Sequence, residues 1–153
     1  MSELVRELYR ILQDPEHKEF FDFVRYDSVE KDVNEDKVVI LRDDTNDIVG
    51  FSTLHIYQTT SPLYKVKKND VRIKQIVVKP KHKGKGYGKE MVEMCKEHVR
   101  KLGGEYLCLS VEAHNVKACG FYDKMGFTVV NNGVWKKKNS GDVKYLVYRI
   151  KCN

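Results

Sequence analysis

The chain has 153 residues, of which 33% are charged, and a formal net charge of +6. This length suits one domain with a real hydrophobic core. The first residues are polar and no apolar run approaches about 18 residues, so the sequence predicts neither a secretory signal nor a membrane span. Its four cysteines lack any metal-binding spacing, which predicts free thiols, no metal site and a reducing, cytoplasmic location.

The net charge is distributed unevenly along the chain. Residues 1–50 hold seven basic and 14 acidic residues, a net charge of −7, whereas residues 51–153 carry +13. By complementarity of charge, the basic part suits a polyanionic ligand and the acidic part a cationic one. The alternative is that these charges belong to ordinary solvated helix faces.

The first third of the chain predicts two helices followed by a β-hairpin. Apolar residues recur at helical spacing over residues 2–13, and Asp14-Pro15 is typical of the start of a second helix over residues 16–24. Residues 37–41 and 48–57 are rich in apolar and β-branched side chains and flank a polar turn.

The rest of the chain predicts alternating strands and helices. Residues 58–69 have no regular pattern and are expected to form a loop. The continuous apolar run at 106–111 is typical of a parallel strand buried on both faces. The other predicted elements are a strand at 71–78, a helix at 87–102, a short helix capped by Asn115 and ending at Gly126, and closing strands at 127–130 and 143–150 around a hairpin tip at 131–141 that holds Trp135.

A turn rich in glycine and lysine separates the predicted strand ending at Val78 from the helix that begins at about Tyr87. Glycines let the backbone approach an anion closely, and the helix N-terminus adds partial positive charge. The turn therefore predicts a polyphosphate site, and the alternative is a solvated lysine turn. The residues expected to bind phosphate are Lys83, Gly84, Lys85, Gly86, Tyr87, Gly88 and Lys89.

This turn matches neither a P-loop nor the dinucleotide-binding fingerprint, because the required spacings are absent. The pattern Lys83-x-x-Gly86-x-Gly88 instead resembles the Arg/Gln-x-x-Gly-x-Gly/Ala loop of the GNAT superfamily, the acyl-CoA-dependent N-acetyltransferases. In that family the loop binds the pyrophosphate of coenzyme A. Lys83 departs from the pattern, since it keeps a donor but lacks the planar fork of arginine.

A second segment strengthens this resemblance. Residues 115–127 are similar to the GNAT pattern Asn-x-x-Ala-x-x-Phe/Leu-Tyr-x-x-x-Gly-Phe at every specified position, and the resemblance extends over residues 71–127. It implies a single GNAT N-acetyltransferase domain over residues 1–153. The implied fold is α/β of the α+β type, with a mixed, mostly antiparallel central sheet and helices on both faces.

The resemblance also implies how acetyl-CoA is bound. In the family, two neighbouring strands splay apart around the thioester, and the first strand pairs with the pantetheine. Lys81, Lys85 and Lys124 are alternatives for contact with the 3′-phosphate. Besides the glycine loop, the implied cofactor-binding residues are Ile76, Val77, Val78, Asn115, Ala118, Phe121 and Lys124.

Tyr122 matches the family tyrosine that protonates the leaving thiolate, and the alternative is a tyrosine that fills the core. Many members carry a glutamate base on the strand before the glycine loop, but residues 72–76 contain no carboxylate. Glu112 is the first candidate for a base, followed by His114 and His55. A simple ion pair between Glu112 and Lys74 is the alternative.

The acceptor is predicted from charge. The early helices and the loop after them build the acceptor side in the family, and here they are acidic, which predicts a cationic primary amine. A polyamine such as spermidine, spermine or putrescine ranks first, a lysine side chain of a basic protein second and an amino-sugar phosphate third. The acidic residues concerned are Glu16, Glu19, Asp22, Asp27, Glu30, Asp32, Glu35 and Asp36.

Two other classes of protein are weighed against the enzyme. A non-catalytic CoA-binding sensor would explain the missing strand glutamate, but Tyr122 is present. A nucleic-acid module is disfavoured, because the basic residues concentrate at the cofactor loop and no base-reading motif occurs. A homodimer is expected if the apolar strand over residues 145–150 extends a sheet across two chains.

Overall fold

The computed structural model describes residues 2–21, 23–137 and 141–152. None of the helices in these ranges is long and apolar enough to cross a membrane. Besides a 3₁₀ turn at Pro80–His82, the elements are α1 (Ser2–Leu12), α2 (Lys18–Phe21), α3 (Tyr26–Asn34), β1 (Val38–Arg42), β2 (Ile48–Ile56), β3 (Val71–Val78), α4 (Tyr87–Leu102), β4 (Tyr106–Glu112), α5 (Val116–Lys124), β5 (Thr128–Lys137) and β6 (Gly141–Lys151).

The chain divides into two compact units, the first of residues 1–55 and 73–95 and the second of residues 56–72 and 96–153. In the first unit the strand order is β1-β2-β3, and β1 and β2 form the predicted antiparallel hairpin. A single core joins this sheet to α1 and α3. Its fully buried members are Val5, Leu8, Ile11, Leu12, Val24, Val29, Ile48, Phe51 and Val77.

In the second unit the strand order is β3-β4-β6-β5. The first residues of β3 pair with β4 in parallel, as Val71 with Leu107 and Arg72 with Cys108. The β4–β6 and β5–β6 pairs are antiparallel. The six strands therefore form a mixed, mostly antiparallel sheet, which confirms the predicted fold class.

A buried carboxylate fixes the entry into β4. Asp70 is fully buried, and its Oδ1 accepts hydrogen bonds from the backbone N–H groups of Glu105 at 2.7 Å and Tyr106 at 2.9 Å. Its Oδ2 accepts a third from the Lys67 N–H at 2.8 Å. A buried carboxylate with three donors is satisfied, so Asp70 sets where β4 begins beside β3.

The helical part before β1 differs from the prediction. The second helix covers four residues rather than 16–24, because Asp14 Oδ1 accepts from the Glu16 N–H at 3.0 Å and the Asp14 carbonyl accepts from the His17 N–H at 2.8 Å. These bonds form a turn before the helix begins. The sequence pattern also did not predict α3, whose buried face carries Val29 and Asp32.

The closing strands are longer than predicted. β5 and β6 extend through most of the segment interpreted as a hairpin tip, and Trp135 stacks on Tyr145 within them, with ring centroids 4.5 Å apart. Residues 138–140 of that tip, including one of its three lysines, lie outside the described residues. The loop at 58–69 contains one isolated bridge, between Ser61 and Val66.

Candidate functional site

The glycine loop of the first unit has the backbone that its sequence predicts. Gly84 and Gly86 adopt φ of +78° and +83°, in the left-handed region that favours glycine, and no atom lies within 4 Å of the position that a Cβ would take at either residue. The Gly86 carbonyl accepts the Glu90 N–H at 3.2 Å, which starts α4. The N–H groups of residues 87–89 therefore precede the first intrahelical donor and are oriented toward the loop.

The loop lysines fall into two groups. Lys79 and Lys81 place their ammonium groups 3.4 Å and 3.3 Å from the Asp47 carboxylate of the β1–β2 turn. The hydrogen bond from Lys81 is the main cause that holds the pKa of Asp47 below its usual range. Lys83, Lys85 and Lys89 are exposed and have no ion pair among the described residues. The charge available to an anion comes from these three.

The strand before the loop, β3, is held in the core of the first unit. Val77 is 4% exposed and packs in the core of the first unit, while Ile76 and Val78 are half-buried. The Lys79 N–H donates to the Val49 carbonyl at 2.8 Å, which holds the end of β3 against β2. The predicted roles of these three residues in pantetheine pairing stay predictions.

One group of residues near the loop has the chemistry of a metal site. Asp43, Asp47 and His82 have ligand atoms within 4.8 Å of one another. However, Asp43 Oδ1 already accepts from Thr45 Oγ1 at 2.7 Å, and the two loop lysines compete for Asp47. Their positive charge opposes a cation at this place.

In the second unit, the segment 115–127 forms a capped helix as predicted. Asn115 Oδ1 accepts from the Ala118 N–H at 3.3 Å, which is an N-cap. The carboxamide N–H₂ is left to donate to a ligand. Ala118 and Phe121 are half-buried and Lys124 is exposed, which allows the contacts with a cofactor that the sequence predicts.

Tyr122 lies in an aromatic cluster. It is 5% exposed, and its ring centroid is 5.1 Å from that of Phe121, 5.3 Å from Phe127 and 5.8 Å from Tyr148. These contacts fix the ring direction and restrict its rotamer. Burial raises the pKa of the neighbouring Tyr148, and Cys119 and Asp123 add to the shift. The Tyr122 ring thus fills part of the core. The catalytic role of its hydroxyl stays a prediction.

Glu112 ends β4, and its side chain is 11% exposed. Lys137 Nζ bonds one carboxylate oxygen, and His114 Nε2 lies 3.3 Å from the other. The alternative that Glu112 pairs with Lys74 is wrong, because Lys74 Nζ lies 2.8 Å from Asp32 of α3. The Lys137 ammonium therefore compensates the charge of the Glu112 carboxylate, and the exposed His114 lies beside it.

Several carboxylates of the predicted acidic surface are already engaged in ion pairs within the protein. Asp27 pairs with Arg25, Glu35 pairs with Lys37 and Lys31, and Asp32 is buried against Lys74. Asp22 lies outside the described residues. Four exposed carboxylates form no ion pair among the described residues: Glu16, Glu19, Glu30 and Asp36.

This sheet, with a glycine loop before one helix and an asparagine-capped helix after the next strand, defines the acyl-CoA N-acyltransferase class of fold. The family model for the acetyltransferase (GNAT) family matches residues 2–127. The chain therefore belongs to the GNAT acetyltransferase family.

Individual relatives agree with the family. A mycothiol acetyltransferase of Corynebacterium glutamicum (strain R) is 30% identical over 106 residues, which are 67% of this chain and 32% of that protein. The chain thus spans about a third of that relative's length. Ard1 from Thermoplasma volcanium has a TM-score of 0.77 at 16% identity, over 99% of this chain and 93% of its own.

A third relative was solved with a ligand. A Bacillus anthracis str. Ames protein, crystallised in complex with acetyl coenzyme A, is 25% identical to this chain, with a TM-score of 0.62. The match covers 74% of this chain and 61% of that protein. The similarity extends beyond the two short motifs from which the family was first identified.

Proposed function

We propose that the protein is an acetyl-CoA-dependent N-acetyltransferase that moves the acetyl group directly to a primary amine. The observation that carries the proposal is the glycine loop before α4. Two glycines in left-handed conformation lie at the N-terminus of a 16-residue helix. Beside them are three lysines that form no ion pair within the part of the chain that the structure describes. Backbone N–H groups, helix dipole and ammonium groups all favour a polyanion such as the pyrophosphate of coenzyme A.

The second unit supports the transfer chemistry. A neutral amine attacks the thioester carbonyl, so that a C–N bond forms and the C–S bond breaks. The leaving thiolate needs a proton, which the Tyr122 hydroxyl supplies, and the amine loses one, which Glu112 accepts directly or through water and His114. Asn115 uses the amide hydrogens that its cap leaves free to hold the cofactor.

The acceptor we favour is a polyamine, and a lysine side chain of a basic protein ranks second. The support is electrostatic: four exposed carboxylates on and around α2 and α3 have no ion pair among the described residues. Lys74, which alone would repel a cation, is neutralised by Asp32. The free state of all four cysteines supports a reducing, cytoplasmic setting.

A calorimetric titration with acetyl-CoA, followed by mass spectrometry of spermidine incubated with enzyme and acetyl-CoA, tests this proposal. Saturable binding and an acetylated polyamine are expected. Binding without any acetylated amine would favour the second candidate, a CoA-binding sensor. The observation in favour of that candidate is the ion pair that holds Glu112 against Lys137. Failure to bind acetyl-CoA would refute both.

A further inference from the structure

The β5–β6 hairpin of the second unit places a primary amine beside the proposed base. Lys137, the last residue of β5, bonds one carboxylate oxygen of Glu112 through its Nζ. The Lys137 side chain is 32% exposed and that of Glu112 is 11% exposed, so the lysine is accessible while the carboxylate is nearly covered. No step of the proposed acetyl transfer uses this lysine.

The register of the strands explains how Lys137 comes to lie at Glu112. Glu112 is opposite Tyr145 on β6, and Tyr145 is opposite Gly133 on β5. Residues that are directly opposite each other share a face of the sheet, and successive side chains of a strand point to opposite faces. Residues 133, 135 and 137 therefore share the face of Tyr145 and Glu112. The stacking of Trp135 on the Tyr145 ring agrees with this assignment.

The backbone around Glu112 is held on both sides. The Ala113 N–H donates to the Lys144 carbonyl of β6 at 2.8 Å. The Glu112 carbonyl accepts from the N–H of Asn115, the cap of α5, at 2.9 Å. The Lys137 ammonium therefore meets a carboxylate whose place is set by β4, β6 and the start of α5.

The place of the Lys137 ammonium is the one that an acceptor amine needs. A general base lies within about 2.6–3.2 Å of the nitrogen whose proton it accepts, or one water away. If Glu112 is that base, the attacking nitrogen is at Glu112 when the thioester carbon is about 3–3.5 Å from it. Lys137 is a primary alkylamine, the chemical class of the proposed acceptor, and its Nζ already bonds Glu112.

We infer that Lys137 is an internal acceptor, which the protein acetylates with its own acetyl-CoA. This inference deepens the proposed function and rests on it. The neutral Lys137 amine attacks the thioester carbonyl, so that a C–N bond forms and the C–S bond breaks. Of the two protons that the nitrogen loses from its ammonium form, Glu112 passes one to solvent and the sulfur of coenzyme A ends with the other. The product is a neutral amide that no longer compensates the charge of Glu112.

Mass spectrometry of the purified protein after incubation with acetyl-CoA, without any added amine, tests this inference. Lys136 is the reference, because it is exposed and precedes Lys137 in the same strand, on the opposite face. Cleavage after acidic residues leaves both lysines in one peptide, 124–142, and its fragment ions distinguish them. Lys137 should be acetylated faster than Lys136 by about tenfold or more, since its nitrogen is positioned for attack. Its rate should not depend on protein concentration.

Two variants serve as matched controls. Lys137→Arg keeps a positive charge beside Glu112 but has no primary amine, so the fast acetylation should disappear. Lys136→Arg should retain it. These variants separate transfer to Lys137 from slow chemical acetylation of exposed lysines, which would be the same in both.

Each outcome decides between the inference and the proposed function. Equal rates at Lys137 and Lys136 in a protein that acetylates spermidine would overturn the inference and leave the proposed function intact. A rate at Lys137 that rises with protein concentration would also overturn it, because transfer then occurs between molecules. Fast, concentration-independent acetylation of Lys137 would support the inference whether or not spermidine is acetylated. A protein that neither acetylates spermidine nor favours Lys137 over Lys136 would refute both.

Discussion

The Lys74 ammonium donates to both oxygens of the Asp32 carboxylate, at 3.0 and 2.8 Å. The Asp32 side chain is only 7% exposed and that of Lys74 is 24% exposed, so this pair joins α3 to β3 in a poorly hydrated place. Each charge needs the other, since either alone would be left desolvated. The pair also removes the net positive charge that Lys74 would otherwise contribute to β3.

Replacing Asp32 by asparagine should destabilise the first unit, because the Lys74 charge loses its partner. We expect a loss of about 3 kcal/mol in the free energy of unfolding, measured by denaturant titration. The control Asp27→Asn breaks an exposed pair with Arg25 and should leave the midpoint unchanged. The double variant Asp32→Leu/Lys74→Met should recover most of the loss, and no recovery would contradict the pairing argument.

Replacing Lys83 by alanine should weaken coenzyme A binding by about tenfold, because one charge-assisted contact with phosphate is lost. Lys83→Arg should bind at least as well as wild type, since it restores the family residue and its planar fork. Lys101→Ala, an exposed lysine in the last turn of α4, is the control. Equal affinities for Lys83→Ala and Lys101→Ala in calorimetry would place the phosphate elsewhere.

The variant Tyr122→Phe removes one hydroxyl and keeps the ring that packs against Phe127 and Tyr148. Turnover should fall by about 100-fold, the usual contribution of a positioned proton donor. Acetyl-CoA affinity and the melting temperature should change little. Steady-state kinetics and calorimetry on the same preparation separate these effects, and full activity of the variant would assign Tyr122 to the core alone.

Glu112 and His114 can be distinguished as bases. If Glu112 accepts the proton, Glu112→Gln should lower turnover by about 100-fold. His114→Gln, which removes the partner 3.3 Å away, should have a smaller effect. A larger loss for His114→Gln would make His114 the base and Glu112 the residue that orients it.

His17 makes the stability of the free protein depend on pH. Its pKa in the folded state is lowered by burial, so the unfolded chain binds a proton more readily. The contribution of neutral His17 is complete above about pH 6.5, the pKa of an unfolded histidine, and it decreases as the pH falls through the folded pKa. Thermal unfolding between pH 7.5 and pH 5 should decline less steeply for His17→Gln. Identical slopes would show that His17 is not buried neutral.

The sequence predicted well wherever a local pattern decides the structure. The bounds of β3 and α4 are those predicted, because an alternating strand, two left-handed glycines and an amphipathic helix follow one another there. Asn115 is likewise an N-cap by type and by geometry. These features depend on neighbouring residues alone, and they include most of the candidate site.

Features that depend on distant residues were missed. The apolar stripe of α3 is short and consists of Tyr26, Val29 and Val33. The helix is stabilised by packing against α1 and by the ion pair of Asp32 with Lys74, which is 42 residues away in the sequence. The partner of Glu112 is Lys137, which only the β5–β6 hairpin brings near. The burial of His17 could not be predicted from the sequence. His17 lies in a turn after Asp14, and the Asp14-Pro15 pattern there is typical of a helix start.

An enzyme that transfers acetyl groups to a cationic amine releases free thiol from acetyl-CoA, and this release can be measured directly. Purified protein is incubated with acetyl-CoA and, in separate reactions, spermidine, a histone-tail peptide and glucosamine 6-phosphate, with Tyr122→Phe as the matched control. We expect more thiol release with spermidine than with glucosamine 6-phosphate, and loss of that release in Tyr122→Phe. Release with glucosamine 6-phosphate alone, or no release from any amine by a protein that binds acetyl-CoA, would contradict it.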